Sequence, residues 1–260
     1  MNRSRLTWWA FLALTPFLGI AACNDSAVDP RRVLTTVNVS VGTVTLEVGE
    51  MTGATASGFD RDGAPFSLGS VAFSSDAPTI AAVTPATGFI LAISPGTTRI
   101  VATADGVVGE RAITVARAPA IRINEVQSRG DGPGGWIELF NPTTAPVDIS
   151  GWTLIDNNFF GPTFTYPPGS VIAPGGYLVT EEASLPFGLD AVDDARLFSR
   201  FGVLVDATVW VAQTQTVFGR CPDGTGTFIP PSTPTKGAGN ACPAGGSALG
   251  VVDVAQVPSR

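Results

Sequence analysis

The sequence predicts an all-β chain: two consecutive β-sandwiches behind an export signal. Three observations carry that expectation. Short runs rich in β-branched and apolar residues recur along the chain, each closed by a Gly, Pro or Asp-Gly turn signal. The 260 residues include 30 Gly and 21 Pro but only 14% charged residues, which suits many turns and argues against a helix bundle or a disordered chain. The N-terminus differs from the rest, with Arg3 and Arg5 followed by an uncharged, mostly apolar run from Leu6 to Ile20.

That apolar run is shorter than the ~20 residues needed to span a bilayer, so it reads as a signal rather than a membrane helix. Ile20-Ala21-Ala22-Cys23 follows it, with small residues immediately before a cysteine. This resembles the lipobox of bacterial lipoproteins. The resemblance implies cleavage of residues 1–22, a diacylglyceryl group on the Cys23 thiol and acylation of the new amine. Lipidation at Cys23 makes the membrane a partner through an N-terminal anchor, because several acyl chains hold stably where one binds only marginally. The expected location is the bacterial cell envelope, extracytoplasmic, at the outer membrane or cell surface. Residues 23–32 are polar and interrupted by proline, a short tether.

The first sandwich is expected over residues 33–117. Strand-like runs fall at 37–41, 43–48, 71–74, 80–83, 89–93, 99–104 and 111–115, with turn signals between them. Phe73-Ser74-Ser75-Asp76, Ala82-Val83, Thr87-Gly88 and the run from Ala92 to Ile100 resemble bacterial immunoglobulin-like domains of group 2. The resemblance implies a spacer module. Asp60-Arg61-Asp62-Gly63 opens like a calcium loop, but Val71 stands where such a loop needs its bidentate glutamate. The better reading is a tight turn whose aspartates bond their own backbone.

Ala118-Pro119-Ala120 forms a stiff junction to a second sandwich over residues 120–243, followed by a small-residue tail at 244–260 that is expected to be flexible. Ile123-Asn124-Glu125-Val126, Trp136-Ile137-Glu138-Leu139-Phe140-Asn141 and Asp148-Ile149-Ser150-Gly151-Trp152 occur in that order. They resemble the lamin tail domain, an immunoglobulin-like β-sandwich, in the form carried by exported bacterial proteins. Phe218-Gly219-Arg220-Cys221-Pro222-Asp223-Gly224 and Gly237-Ala238-Gly239-Asn240 look like the end of that domain. Apolar residues on both faces of 136–140 place this strand centrally. Glu125 and Glu138 lie among apolar neighbours, so burial would demand an arginine or backbone N–H partner for each. A glycosidase-like carboxylate pair is the alternative. Later strands are expected at 176–180, 195–201 and 203–211, the last two as a hairpin.

Charge and composition narrow the function. The chain carries 22 acidic and 15 basic residues; without Arg3 and Arg5 the basic count is 13, a net charge near -9. Such a surface repels phosphate backbones, which makes nucleic acid a poor partner. The absence of histidine excludes Ser-His-Asp and Cys-His catalysis and His-ligated zinc. Lys236, the only lysine, lies in a loop-like run without Ser-x-x-Lys spacing. With Cys23 assigned to lipid, Cys221 and Cys242 form an even pair in an oxidising compartment and are expected to be bridged. Glu181, Glu182, Asp190, Asp193 and Asp194 are the weak calcium candidates, but a solvated acidic loop is the better reading, since no ligand spacing is visible. Asn157, Asn158, Phe159 and Phe160 form the candidate recognition loop, where two aromatics beside two amides suit a glycan or a protein surface; the alternative is that the rings cover the core.

These features point to a non-catalytic, lipid-anchored envelope protein that displays a binding or scaffolding sandwich on a spacer. The expected partners are the membrane and an envelope protein or glycan, with no catalytic residue, cofactor or metal. A carboxylate-dependent extracellular hydrolase and a purely structural envelope component are the competing readings.

Overall fold

The structure, a computed structural model, describes residues 32–128, 134–190, 192–210, 217–229 and 233–242. Cys23, the tether up to residue 31 and the 244–260 tail lie outside the described residues. Among the described residues the fold is all-β apart from one short 3-10 turn, and it forms two immunoglobulin-like sandwiches, each closed around its own apolar core.

The first sandwich is built from β1 (Leu34–Val41), β2 (Thr45–Glu47), β3 (Met51–Asp60), β4 (Pro65–Phe66), β5 (Ala72–Ser75), β6 (Ala81–Val83), β7 (Phe89–Ala92), β8 (Gly96–Ala104) and β9 (Val107–Ala116). One sheet has the order β1-β3-β7-β6, with β4 paired to β3; the facing sheet has the order β2-β9-β8-β5. Period-two alternation supplies the core: along β8, Thr98, Ile100, Ala102 and Ala104 point inward between exposed or half-buried neighbours. Leu46, Ile90, Ile100 and Ile113 are sealed off from solvent, each stabilising the sandwich by roughly 1.5–3 kcal/mol.

Strand β3 is absent from the sequence reading. Its Met-Thr-Gly-Ala-Thr-Ala-Ser-Gly-Phe-Asp run is poor in the bulky residues that signal a strand. Packing explains the glycine at position 58. A Cβ at Gly58 would stand 2.5 Å from Leu68 Cδ2, 2.8 Å from Leu34 Cδ1 and 2.9 Å from the Phe66 carbonyl oxygen. The strand ends in the turn at Asp60, whose Oδ1 accepts the backbone N–H groups of Asp62 at 3.1 Å and Ala64 at 2.9 Å while Oδ2 takes Arg32 Nε at 2.9 Å. That side chain is occupied as a turn former.

The second sandwich contains β10 (Arg122–Gln127), β11 (Trp136–Phe140), β12 (Val147–Asp148), β13 (Thr153–Ile155), β14 (Phe164–Thr165), β15 (Val171–Ile172), β16 (Tyr177–Glu181), β17 (Asp193–Phe198), β18 (Leu204–Trp210), β19 (Phe218–Cys221) and β20 (Thr227–Ile229). Its sheets run β16-β11-β10-β19-β20 and β14-β13-β17-β18, with β12 and β15 as a small separate ribbon. Strand β11 lies between two partners, as the apolar residues on both its faces predict. Ile137 and Leu139 face the core, where Trp152, Leu154 and Trp210 are all at most 1% exposed. The chain enters β13 through a turn in which Asp148 Oδ1 accepts the Ser150 N–H at 2.9 Å, and Gly151 takes φ of 77°. Only glycine adopts that conformation at little cost, which is why Ser-Gly-Trp marks this entry.

Candidate functional site

The loop after β13 leaves the core at once. Leu154 and Ile155 are buried, whereas Asn157, Asn158, Phe159 and Phe160 are all exposed. Phe159 is 61% and Phe160 96% exposed, so the rings do not cover the end of the core. They meet edge to face, with centroids 5.6 Å apart and planes at 88°. The loop is held from beneath. Asp156 Oδ1 accepts the Asn158 N–H at 2.9 Å, Asp193 Oδ1 accepts the Asn157 N–H at 3.3 Å, and the Gly161 N–H closes on the Asn158 carbonyl at 2.7 Å. Two large rings thus stand in water on a loop tied to the sandwich by backbone hydrogen bonds.

The calcium candidates do not converge. Glu181 pairs with Lys236, and Asp194 pairs with Arg196. Asp193 is buried and spends its oxygens on the backbone N–H groups of Asn157, Asp194 and Asp190. Glu182 accepts the N–H of Gly135 at 2.6 Å and of Leu189 at 3.1 Å. Asp190 contributes its carbonyl, which takes the Trp210 indole N–H at 2.8 Å. Among the described residues no group of three or more acidic or cysteine side chains is arranged to hold a metal ion. The segment is neither a calcium loop nor a freely solvated acidic run: most of its carboxylates order loop backbone or pair with cations.

Glu125 and Glu138 sit opposite each other across β10 and β11, and both are fully buried. The required N–H partners come from the closing segment at 233–242. Thr235 N–H donates to Glu125 Oε1 at 3.1 Å and Gly237 N–H to Glu138 Oε2 at 2.6 Å. Burial pushes both carboxyls up, Glu138 to about 7, with the neighbouring carboxylate of Asp223 adding to the rise. Trp136 lies buried on the same sheet, with the Lys236 ammonium 5.7 Å from its ring centroid. These carboxyls are covered by backbone and open to no substrate. Asn124, Asp223 and Asn240, which complete the cluster with Thr235, stand within the sequence motifs, but nothing in the local pattern brings them together with the two glutamates.

Cys221 and Cys242 are joined, with Cα atoms 5.5 Å apart, and tie the end of the closing segment to β19. Next to the bridge, Arg220 bonds both carboxylate oxygens of Asp206 at 3.0 Å, the Ile123 carbonyl at 2.9 Å and the Gly226 carbonyl at 3.2 Å. Asp206 belongs to β18 of one sheet and Arg220 to β19 of the other, so this ion pair bolts the two sheets together.

Fold and site together define a pair of immunoglobulin-like sandwiches, the second with an exposed aromatic loop and a sealed carboxyl cluster. Residues 114–215 match the family model of the lamin tail domain. The match covers most of the second sandwich and stops before the closing segment. No curated protein is significantly similar to the chain. Among solved structures, domains 4 and 5 of the S-layer protein SbsC are 17% identical, over 64% of this chain and 92% of that one, with a TM-score of 0.31. The Yersinia pseudotuberculosis adhesin InvE is 16% identical over 74% and 70%, at 0.28. Domains EC1-2 of human protocadherin-24 are 13% identical over 72% and 92%, at 0.25.

Proposed function

We propose that this is a non-catalytic, lipid-anchored envelope protein in which a group 2 immunoglobulin-like spacer carries a lamin-tail sandwich that recognises a partner through Phe159 and Phe160. The exposure of those two rings carries the reading. A pair of large apolar side chains in water is unfavourable unless something covers it, and loops on a rigid sandwich are free to specialise without disturbing the core. The rings stand edge to face, which makes a knob rather than a flat platform for sugar rings. A pocket on another envelope protein is the better fit, with a glycan as the competing outcome. A catalytic reading has no support in Glu125 and Glu138, since both are buried beneath the closing segment.

The test is capture from envelope extracts with the wild-type chain and with Phe159→Ala/Phe160→Ala. The double variant is expected to lose the partner while its stability changes by less than about 0.5 kcal/mol, as for exposed side chains elsewhere. Retention of every partner, or a large loss of stability, would remove this loop from consideration. Anchoring is tested separately, by the mass of the N-terminal peptide. An acyl increment at Cys23 that disappears in Cys23→Ser is expected, and an unmodified Cys23 in the wild type would refute it.

A further inference from the structure

Counting donors against acceptors beneath the closing segment locates a proton. Asp223 accepts at both oxygens: the Tyr177 hydroxyl donates to Oδ2 at 2.7 Å, and the Asn240 N–H and Asn124 Nδ2 donate to Oδ1 at 3.0 and 3.2 Å. Glu138 is satisfied in the same way, by Gly237 N–H at 2.6 Å and Asn124 Nδ2 at 3.2 Å. Glu125 differs. Its Oε1 accepts the Thr235 N–H at 3.1 Å, but its Oε2 lies 2.9 Å from the Thr235 hydroxyl, and that hydroxyl also lies 3.0 Å from Asn240 Oδ1. The Asn240 amide cannot turn over, because its Nδ2 already donates to the carbonyls of Asn124 and Arg220 at 3.1 and 2.8 Å. A single hydroxyl proton divided between two acceptors bonds each more weakly than a full hydrogen bond would. The network closes when Glu125 is the carboxylic acid, donating to Thr235, which in turn donates to Asn240.

We infer that Glu125 carries a proton that fastens the closing segment to the sheet, and that segment 233–242 is released when rising pH removes it. No cation takes the proton's place. Lys236 is paired outward with Glu181 and lies over Trp136, and Arg220 is held by Asp206. Tyr177, on the neighbouring β16, is the remaining titratable group, and its hydroxyl is spent on Asp223. Glu125, Glu138 and Asp223 are thus three acids around one buried site, where a further negative charge is opposed by burial and by its neighbours.

The sign follows from linkage. With the segment in place burial raises the Glu125 carboxyl above the ordinary carboxylate value of 4.5; with the segment lifted into water, it returns toward 4.5. The clasp is therefore tightest below that ordinary value and weakens as pH rises through the raised value of Glu125, by up to about tenfold per pH unit for one proton. The Cys221–Cys242 bridge keeps the released segment on the domain, so it swings out as a loop and uncovers Trp136.

Amide hydrogen exchange on the intact chain, read by mass spectrometry and divided by the intrinsic chemical rate at each pH, tests this. Peptides spanning 233–242 should lose at least tenfold in protection between about pH 5 and pH 8, while those of β13 and β17 stay constant. Glu125→Gln, whose side-chain amide donates to Thr235 without a titrating proton, should lose markedly less protection than the wild type across the range. Unchanged protection in the wild type, or an equal fall in Glu125→Gln, overturns the inference. Should that variant not fold, the carboxyl-carbon titration of the wild type decides. A midpoint for Glu125 well above 4.5 supports the clasp, and an ordinary midpoint for Glu125 refutes it.

Discussion

Asp206→Ala is expected to destabilise the second sandwich by about 3–5 kcal/mol, the usual loss when one partner of a buried ion pair is removed. Asp206 and Arg220 are only 9% and 13% exposed at their side chains, so neither charge finds water when the other is gone. Burial pushes the Asp206 carboxyl up, and the Arg220 guanidinium beside it pulls it back toward the ionised form. Truncation strands the guanidinium and also leaves the Ile123 N–H without the Oδ2 acceptor it holds at 2.8 Å. Since Asp206 stands on one sheet and Arg220 on the other, the loss falls on the contact between sheets. Denaturant unfolding should show the second sandwich melting early while the first, whose core is separate, keeps its transition. A double variant, Asp206→Leu with Arg220→Met, should be less damaged than either single truncation, because no buried charge is stranded and Arg122, the other cation beside Asp206, reaches water. A loss below about 1 kcal/mol for Asp206→Ala would show that water reaches the pair.

The contrast with what the chain announces in advance is instructive. Ile123 to Val126 and Trp136 to Asn141 were readable as strands because apolar residues occupy both faces of a segment too short for a helix, and the sheet order puts β11 between two partners for that reason. Strand β3 was not readable, because Gly58 answers a distant demand: the side chains of Leu34 and Leu68 leave no room for a Cβ. The acidic segment was misread for a similar reason. Its sequence displays carboxylates but hides their partners, and Glu182 finds the N–H of Gly135 from 47 positions away. Phe159 and Phe160 were singled out correctly as unusual, yet sequence left open whether they were core or surface, and their exposure excludes the first. The clasp depends on contacts such as Thr235 to Glu125, separated by 110 positions, which no local pattern encodes.

Breaking the bridge with Cys221→Ala and Cys242→Ala should lower the stability of the second sandwich by about 3 kcal/mol, since a link across 21 residues restricts the unfolded chain. The effect should be uneven. Cys221 ends β19, which is paired on both sides with β10 and β20, so its strand is held without the sulfur. Cys242 ends the closing segment, which is held to the sheet by hydrogen bonds from Thr235, Gly237 and Asn240 to carboxyl and carbonyl oxygens and by the pairing of Lys236 with Glu181. Without the bridge each opening of those bonds frees a chain end rather than a loop, so the entropy gained on opening rises. Exchange protection at 233–242 should fall further than at β19 and β20, and it should fall most at high pH, where Glu125 has lost its proton. Reduction of the wild type should reproduce the double variant. Equal protection in the bridged and unbridged chains at both ends of the pH range would mean that the hydrogen bonds alone hold the segment and that the disulfide acts only on the unfolded state.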